Sequence, residues 1–387
     1  MKATDNVYAV ILAGGSGERL WPMSTPERPK QFVEVFGGKP LLRHAVDRLK
    51  GFIPPERTLV ITAESLVALT KKALPMLPKA NILGEPCRRD TAAAMAVACG
   101  LVKQLGGADA VACVLTADQL MTPESKVRQI LKDAVKAARR FDAIVTLGIV
   151  PTHPATGYGY IECAEKLDVG TPTPFNRVKR FVEKPDLKTA KKYVKSPRFR
   201  WNSGMFIWKV ATMEAEFMRS APDIGAMIGK VATSKNVRAL MKQEYPALRK
   251  ISVDFAVMEK AKNIIVAECN FDWDDVGSWT SLANHFPADN NGNVKLGNVR
   301  ALDSSGSIFV SSDSHHLAVF GLEEVVVVHT PTATLVCAKS KVAELKRLLK
   351  YPRFWQNSLG RTFPFVSSLI FIQLIILFFT LHIIEIN

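Results

Sequence analysis

The chain has 387 residues, 48% of them hydrophobic and 22% charged, so it can bury a sizeable core in two or three domains, and its composition excludes general disorder. Its 51 Lys and Arg outnumber its 36 Asp and Glu, a formal net charge of +15 that suits either an anionic partner or simply a basic surface. No segment interleaves aromatics with a dense basic stripe, and no zinc-finger spacing or basic region before heptads occurs, which argues against nucleic acid as the partner.

In chain order, the first apolar run (MKATDNVYAVILAGG) is too short for a signal peptide and leads straight into a glycine loop, so export is not expected. Short β-branched runs at Val7 to Leu12, Thr58 to Thr62, Ala110 to Leu115 and Ala143 to Val150 read as strands. Helical patterns lie between and after them at Pro40 to Leu49, Glu64 to Leu74, Thr91 to Leu105 and Pro123 to Arg140. Such alternation predicts a largely parallel sheet covered on both faces, with ligands in the crevice at the carboxyl ends of the strands. Strand signals return between Val178 and Val210 and predict a mixed-sheet second half. After Phe286 the texture changes: Asp289 to Gly292 (DNNG) is turn chemistry, and short strands follow at Ile308 to Val310, Ala318 to Phe320, Val325 to Val328 and Thr334 to Cys337. The expected organisation is therefore α/β, with a catalytic domain over 1–286, a small β-rich domain over 287–350 for which a β-helix-like form is open by analogy although no exact period is visible, and an apolar tail over 351–387. From Thr362 to Ile384 the tail carries no charge and is about as long as the roughly 20 residues needed to cross a bilayer. It reads either as a membrane span or as sequence foreign to the protein, because composition changes abruptly after the basic segment Lys339 to Lys350. Six cysteines, at 87, 99, 113, 163, 269 and 337, never form CxxC, which fits reduced thiols in cytosol and gives no zinc site.

Gly14, Gly15 and Gly17 follow the first strand directly, so the backbone can turn tightly and bring its N–H groups to phosphate oxygens. The loop lacks the Gly-Lys-Ser/Thr ending of a P-loop and the third glycine of a dinucleotide fingerprint. Arg19 and Lys30 instead share a stretch restricted by Pro22, Pro26 and Pro29, and a planar Arg fork with a point-like Lys charge suits a polyphosphate.

LAGGSGERLWPMSTPERPKQF, Leu12 to Phe32, closely resembles the signature of nucleotidyltransferases acting on sugar 1-phosphates, in the form found in the bacterial mannose-1-phosphate guanylyltransferase family. The likeness extends from about Tyr8 to Lys350. It implies the nucleotide-diphospho-sugar transferase (Rossmann-like) fold, a mixed sheet flanked by helices. It also implies Mg2+-dependent exchange of GTP and mannose 1-phosphate for GDP-mannose and pyrophosphate, in the cytoplasm, with self-association as a homodimer left open. The resemblance places the nucleotide against Leu12, Ala13, Gly14, Gly15 and Gly17 and against Glu85, Pro86, Arg89 and Thr91 of GEPCRRDTAAA. In that segment the family's Asn is Asp90 and its Pro is Ala93, and Asp90 or Thr91 can also serve as a helix cap.

Asp118, just after a strand, and Asp275 of WDDVGSW match the family's magnesium carboxylates; Mg2+ usually takes only one or two from protein. Asp274 leaves open which acid of that pair faces the metal, and Gln119 stands where the family commonly has His. Gly159 of TGYGYI lets backbone approach a sugar closely, and Asn202 of WNSGMFIW can donate to and accept from a hydroxyl, while the resemblance implies that Lys184 of FVEKP meets the sugar phosphate and Glu183 the sugar hydroxyls. By themselves Glu183 and Lys184 would read as a surface pair. Rival functions are another sugar or base, a silent nucleotide-sugar sensor, and a membrane-attached scaffold for which only the tail argues.

Overall fold

The structure is a computed structural model that describes residues 6–15 and 17–350, so the apolar tail and its candidate membrane span lie outside the described residues. Residues up to Asp289 form one compact unit and those from Asn290 onward a second.

The first unit is organised by Val7–Ala13 (β1), whose residues alternate between two cores. Val7, Ala9, Ile11 and Ala13 enter one, while Tyr8 and Val10 enter the other. A strand buried on both faces needs an unbroken apolar run, which is what VYAVILA supplies. The remaining strands are Thr58–Ala63 (β2), Ile82–Glu85 (β3), Val111–Thr116 (β4), Leu120–Thr122 (β5), Ile144–Ile149 (β6), Tyr160–Leu167 (β7), Phe175–Val182 (β8), Phe199–Lys209 (β9), Ile264–Cys269 (β10) and Asp272–Asp274 (β11). Nine of the eleven, β1 included, form one sheet in the order β3-β2-β1-β4-β9-β6-β10-β8-β7, with β9 also pairing β7. The first four run parallel, and β9 is antiparallel to both β4 and β6. The expected second half is thus a continuation of the same sheet. β5 and β11 pair apart from it, Asp274 opposite Leu120, and this ribbon carries the two expected metal-binding segments side by side.

The helices expected on the faces are present, with ends shifted by one to three residues. The helix Asp90–Gly106 packs against Pro222–Thr233, close enough that a Cβ on Gly100 would lie 2.6 Å from Val231 Cβ and 2.8 Å from the Ile228 carbonyl. β3, β5, β7, β10 and β11 were not anticipated: four of them are runs of three to six residues that give little periodic signal, and the eight-residue β7 is exposed over most of its second half.

In the second unit Val294–Leu296, Ile308–Ser311 and Val325–Thr330 stack in parallel, closed by antiparallel Ala333–Ala338, while Val299–Leu302 pairs in parallel with Leu317–Phe320. Stacked parallel coils of this kind are β-helical. Phe309, Val319 and Val327 fill the interior, so the β-helix-like form left open by a sequence without an exact period is the one adopted. Among the described residues no helix is long and apolar enough to cross a membrane.

Gly100→Ala should destabilise the first unit by about 1–3 kcal/mol, since the added methyl meets backbone as well as side chain. Denaturant unfolding of the purified variant checks this.

Candidate active site

The loop after β1 is held from beneath before it turns. The Ala13 carbonyl accepts from Gln31 Nε2 at 2.8 Å and Thr62 Oγ1 at 3.1 Å, and the Leu12 carbonyl accepts from the Ala117 amide at 3.2 Å. These two residues therefore anchor the loop. Gly14 and Gly15 are exposed beyond them. A Cβ on Gly14 would lie 3.2 Å from Glu85 Oε2 and one on Gly15 3.8 Å from Asp118 Oδ2, so both acids border the loop. Gly17 is required more strictly: its φ is +56°, and a Cβ there would fall 2.1 Å from Lys30 Cβ.

Lys30 passes through the space that Gly17 leaves. It lies in a short 3-10 turn, Lys30–Phe32, and is 7% exposed. Its Nζ sits 2.8 Å from Asp118 Oδ2 and also donates to the main-chain carbonyl of Asp275. One ammonium thus joins the segments after β4 and β11. Tyr158 Oη donates to Asp275 Oδ1 at 2.7 Å. Burial, reinforced by the negative charges of Asp275 and Asp274, pushes the Tyr158 phenol far up, while the Arg19 charge works against it; Tyr158 is a permanent donor. Exposed Arg19 is therefore near enough to act electrostatically on this group.

The two neighbouring acids divide their work. Asp274 Oδ1 accepts from the Val276 amide at 2.6 Å and Ser281 Oγ at 2.9 Å, and Oδ2 meets His285 Nε2 at 2.9 Å. Burial opposes its ionisation, yet His285, Val276 and Ser281 together hold it below the usual carboxylate range. Asp274 secures its own turn, and Asp275 is the acid beside Lys30 and Tyr158. Between them and Gly277 sits Val276 at φ +47°, an unfavourable conformation for a β-branched residue, and it is fully buried. Gln119 bonds Ser203 O through Nε2 and accepts from Trp273 Nε1, both at 2.9 Å, so it ties the Asp118 segment to β9 and β11.

A second cluster follows Tyr158 in the chain. The Gly159 carbonyl accepts from the Asn202 amide at 2.8 Å, and a Cβ on Gly159 would lie 2.5 Å from Glu183 Oε2. Lys184 has φ +44° and donates to Glu183 Oε1 at 2.6 Å, with its side chain largely in solvent. Asn202 Nδ2 donates to Asp254 Oδ1 at 2.8 Å. Asp254 opens a single π-helical turn, Asp254–Met258, a distortion common at functional sites. Burial first, then the charge of Glu183, pushes its carboxyl up to about 6.

On the other side, Glu85 Oε1 accepts from Tyr245 Oη, and burial raises the Glu85 carboxyl. Pro86 is half-buried. Arg89 donates to the Pro246 carbonyl, and Thr91 Oγ1 accepts from the Val253 amide at 2.9 Å. The expected cap is different in form. The helix begins at Asp90, no side chain caps Arg89 at its N-terminus, and Asp90, at φ +63°, accepts only from the adjacent Thr91 amide. Thr91 is drawn away to Val253 instead. Tyr158 Oη, Tyr245 and Asp254 were missed as site residues; the available signal was a lone Asp inside the apolar run VDFAVM.

Residues 8–292 match the family model described as nucleotidyl transferase. The chain belongs to the nucleotidyl transferase family. Residues 297–351 match the MannoseP isomerase/GMP-like beta-helix domain. Mannose-1-phosphate guanylyltransferase 2 of Escherichia coli O157:H7 is 36% identical over 362 residues, 91% of this chain and 74% of that protein. The mannose-1-phosphate guanylyltransferase of Klebsiella pneumoniae is 35% identical over 358 residues, 90% of this chain and 74% of that one. A Thermus thermophilus crystal structure titled mannose-1-phosphate geranyltransferase superposes with a TM-score of 0.80 at 34% identity, covering 89% of this chain and 98% of that one. In this nucleotidyl transferase chain the sequence-derived residues, Leu12 to Asp275, all lie within the matched segment.

The division between the acids gives a test. Asp275→Asn should lower kcat by about 10²-fold or more, whereas Asp274→Asn should chiefly lower the unfolding midpoint, read by steady-state kinetics beside thermal melts.

Proposed function

We propose that the chain is a mannose-1-phosphate guanylyltransferase, joining GTP and mannose 1-phosphate into GDP-mannose and pyrophosphate. The observation that carries this reading is the Lys30 ammonium held between Asp118 and the Asp275 carbonyl at the mouth of the glycine loop. The named relatives supply the sugar and the base.

The residues present fit magnesium. Asp118 and Asp275 offer hard oxygen donors on segments that Lys30 joins, and Mg2+ usually takes only one or two carboxylates from protein, with phosphate oxygens and waters filling the rest. These two acids would hold it, and when bound it neutralises phosphate charge. The exposed glycine amides approach the triphosphate, and Arg19 and Lys30 bind its β- and γ-phosphates so that they stabilise departing pyrophosphate. Lys184 orients the sugar phosphate, whose oxygen attacks the α-phosphorus in line. No general base is required, because a phosphate monoester loses its second proton with a pKa of about 6. Glu183 and Asn202 take the sugar hydroxyls, with Gly159 admitting the ring, and the segment Glu85 to Thr91 borders guanine. The six free cysteines support a cytosolic setting.

Pyrophosphate release assayed over four NTPs and several sugar 1-phosphates should be fastest with GTP and mannose 1-phosphate. Preference for another pair would replace the substrate assignment, and no release with any pair would end the enzymatic one. Lys30→Ala and Asp118→Asn should each cost about 10²–10³ in kcat, and near-normal turnover of both would overturn their roles.

A further inference from the structure

Asn202 is expected to meet the sugar, but nothing in its own chemistry fixes which way its amide points. Oδ1 accepts from the Gly204 amide at 3.1 Å, with Thr146 Oγ1 at 3.5 Å. Nδ2 has two hydrogens, and Asp254 Oδ1 takes one of them at 2.8 Å. If the amide flipped, Oδ1 would face the Asp254 carboxylate and Nδ2 would face the Gly204 N–H, pairing acceptor with acceptor and donor with donor. An ionised Asp254 forbids the flip.

Its setting is costly for a carboxylate. Burial and the Glu183 charge both disfavour ionisation, and the Lys184 ammonium, already bonded to Glu183, offsets little; Glu259 adds a further acid facing Glu183. A group disfavoured by its surroundings contributes little to folding. The adjacent Val253 amide is bonded to Thr91 Oγ1, so Asp254 also stands one residue from the segment expected to border the base.

We propose that Asp254 is the positioning residue for the sugar end of the cleft: its carboxylate locks the Asn202 amide so that one N–H remains directed to a sugar hydroxyl. The proposal rests on the functional reading above. Asp254 ionises as pH rises through about 6, so the charge-assisted hold is at full strength above that pH and weakens to that of a neutral acceptor as pH falls through it.

The test uses the full chain, GTP, and the sugar 1-phosphate that the wild type turns over fastest. Asp254→Ala should raise KM for the sugar phosphate by about tenfold, the loss of one oriented hydrogen bond, while KM for GTP stays within about twofold. Asp254→Asn keeps a neutral acceptor for Asn202 and does not titrate, so at pH 8 its sugar-phosphate KM should lie between those of wild type and Asp254→Ala. Below pH 6.5 the wild-type KM should climb more steeply than that of Asp254→Asn, in which only the substrate's second ionisation, near pKa 6, remains. Identical pH profiles for wild type and Asp254→Asn would overturn the proposal, as would an Asp254→Ala variant whose two KM values rise together. If the alanine variant does not fold, the asparagine comparison decides. A wild type inactive with every sugar 1-phosphate would remove both the functional reading and this one. An active wild type with unchanged sugar KM in Asp254→Ala removes only this one.

Discussion

One ion pair organises the expected phosphate end of the site. Lys30 and Asp118 come from segments far apart in sequence, yet their charged atoms stand 2.8 Å apart, with Lys30 9% and Asp118 34% exposed at the side chain. Two opposite charges brought this far out of water are worth holding together only if the approach is unobstructed and the remaining hydrogen-bonding capacity is met. Gly17 provides the approach by having no Cβ where Lys30 Cβ passes, and the Asp275 carbonyl takes another ammonium proton. The glycine loop, the end of β4 and the turn after β11 are therefore mutually dependent. Loss of the glycine would displace the lysine, and a displaced lysine would leave Asp118 uncompensated.

The segment from Ile251 to Met258 does for the other end what Lys30 does for this one. The Ala92 amide donates to the Ile251 carbonyl, Thr91 accepts from Val253, and Asp254 accepts from Asn202. Neighbouring residues of one short segment thus reach the helix at the base-side segment and the strand bearing the expected sugar-side residues. A short π-turn allows this, because widening the helix by one residue redirects the chain without breaking its hydrogen bonding. Of the seven non-glycine residues with positive φ among the described residues, Val276, Lys184 and Asp90 are or adjoin expected site residues, and for β-branched Val276 that conformation is the most costly.

What the sequence made legible follows from where its signals were strong. β1 and β4 were evident because a strand buried on both faces must be continuously apolar, and the glycine loop because its composition and spacing are unusual. Asp118 and Asp275 came from the family likeness, and the choice between Asp274 and Asp275 was open because adjacent letters do not tell which carboxylate a turn directs outward. That choice depends on the left-handed Val276 and on Ser281 and His285, which lie further along the chain. Asp254 was hidden for a similar reason: its meaning comes from Asn202, distant in sequence, and from a π-turn that hydrophobic periodicity does not distinguish from an ordinary helical one.

The electrostatic pattern of the unit also explains why a net charge of +15 was a poor guide to function. The expected site sets five acids, Glu85, Asp118, Glu183, Asp254 and Asp275, among the cations Arg19, Lys30, Arg89 and Lys184. Cations answer them individually, Lys30 to Asp118 and Lys184 to Glu183, while Tyr158 and Tyr245 answer Asp275 and Glu85 with hydroxyls. A surface built only to attract anions would gain nothing from buried carboxylates, each of which repels phosphate. Acids placed beside cations and backed by neutral donors instead suit a ligand that carries both signs at short range, a polyphosphate with its metal at one end and uncharged hydroxyls at the other. The surplus of Lys and Arg over the whole chain is a property of the surface at large, and the chemistry depends on the few that glycine and turn geometry bring against a carboxylate.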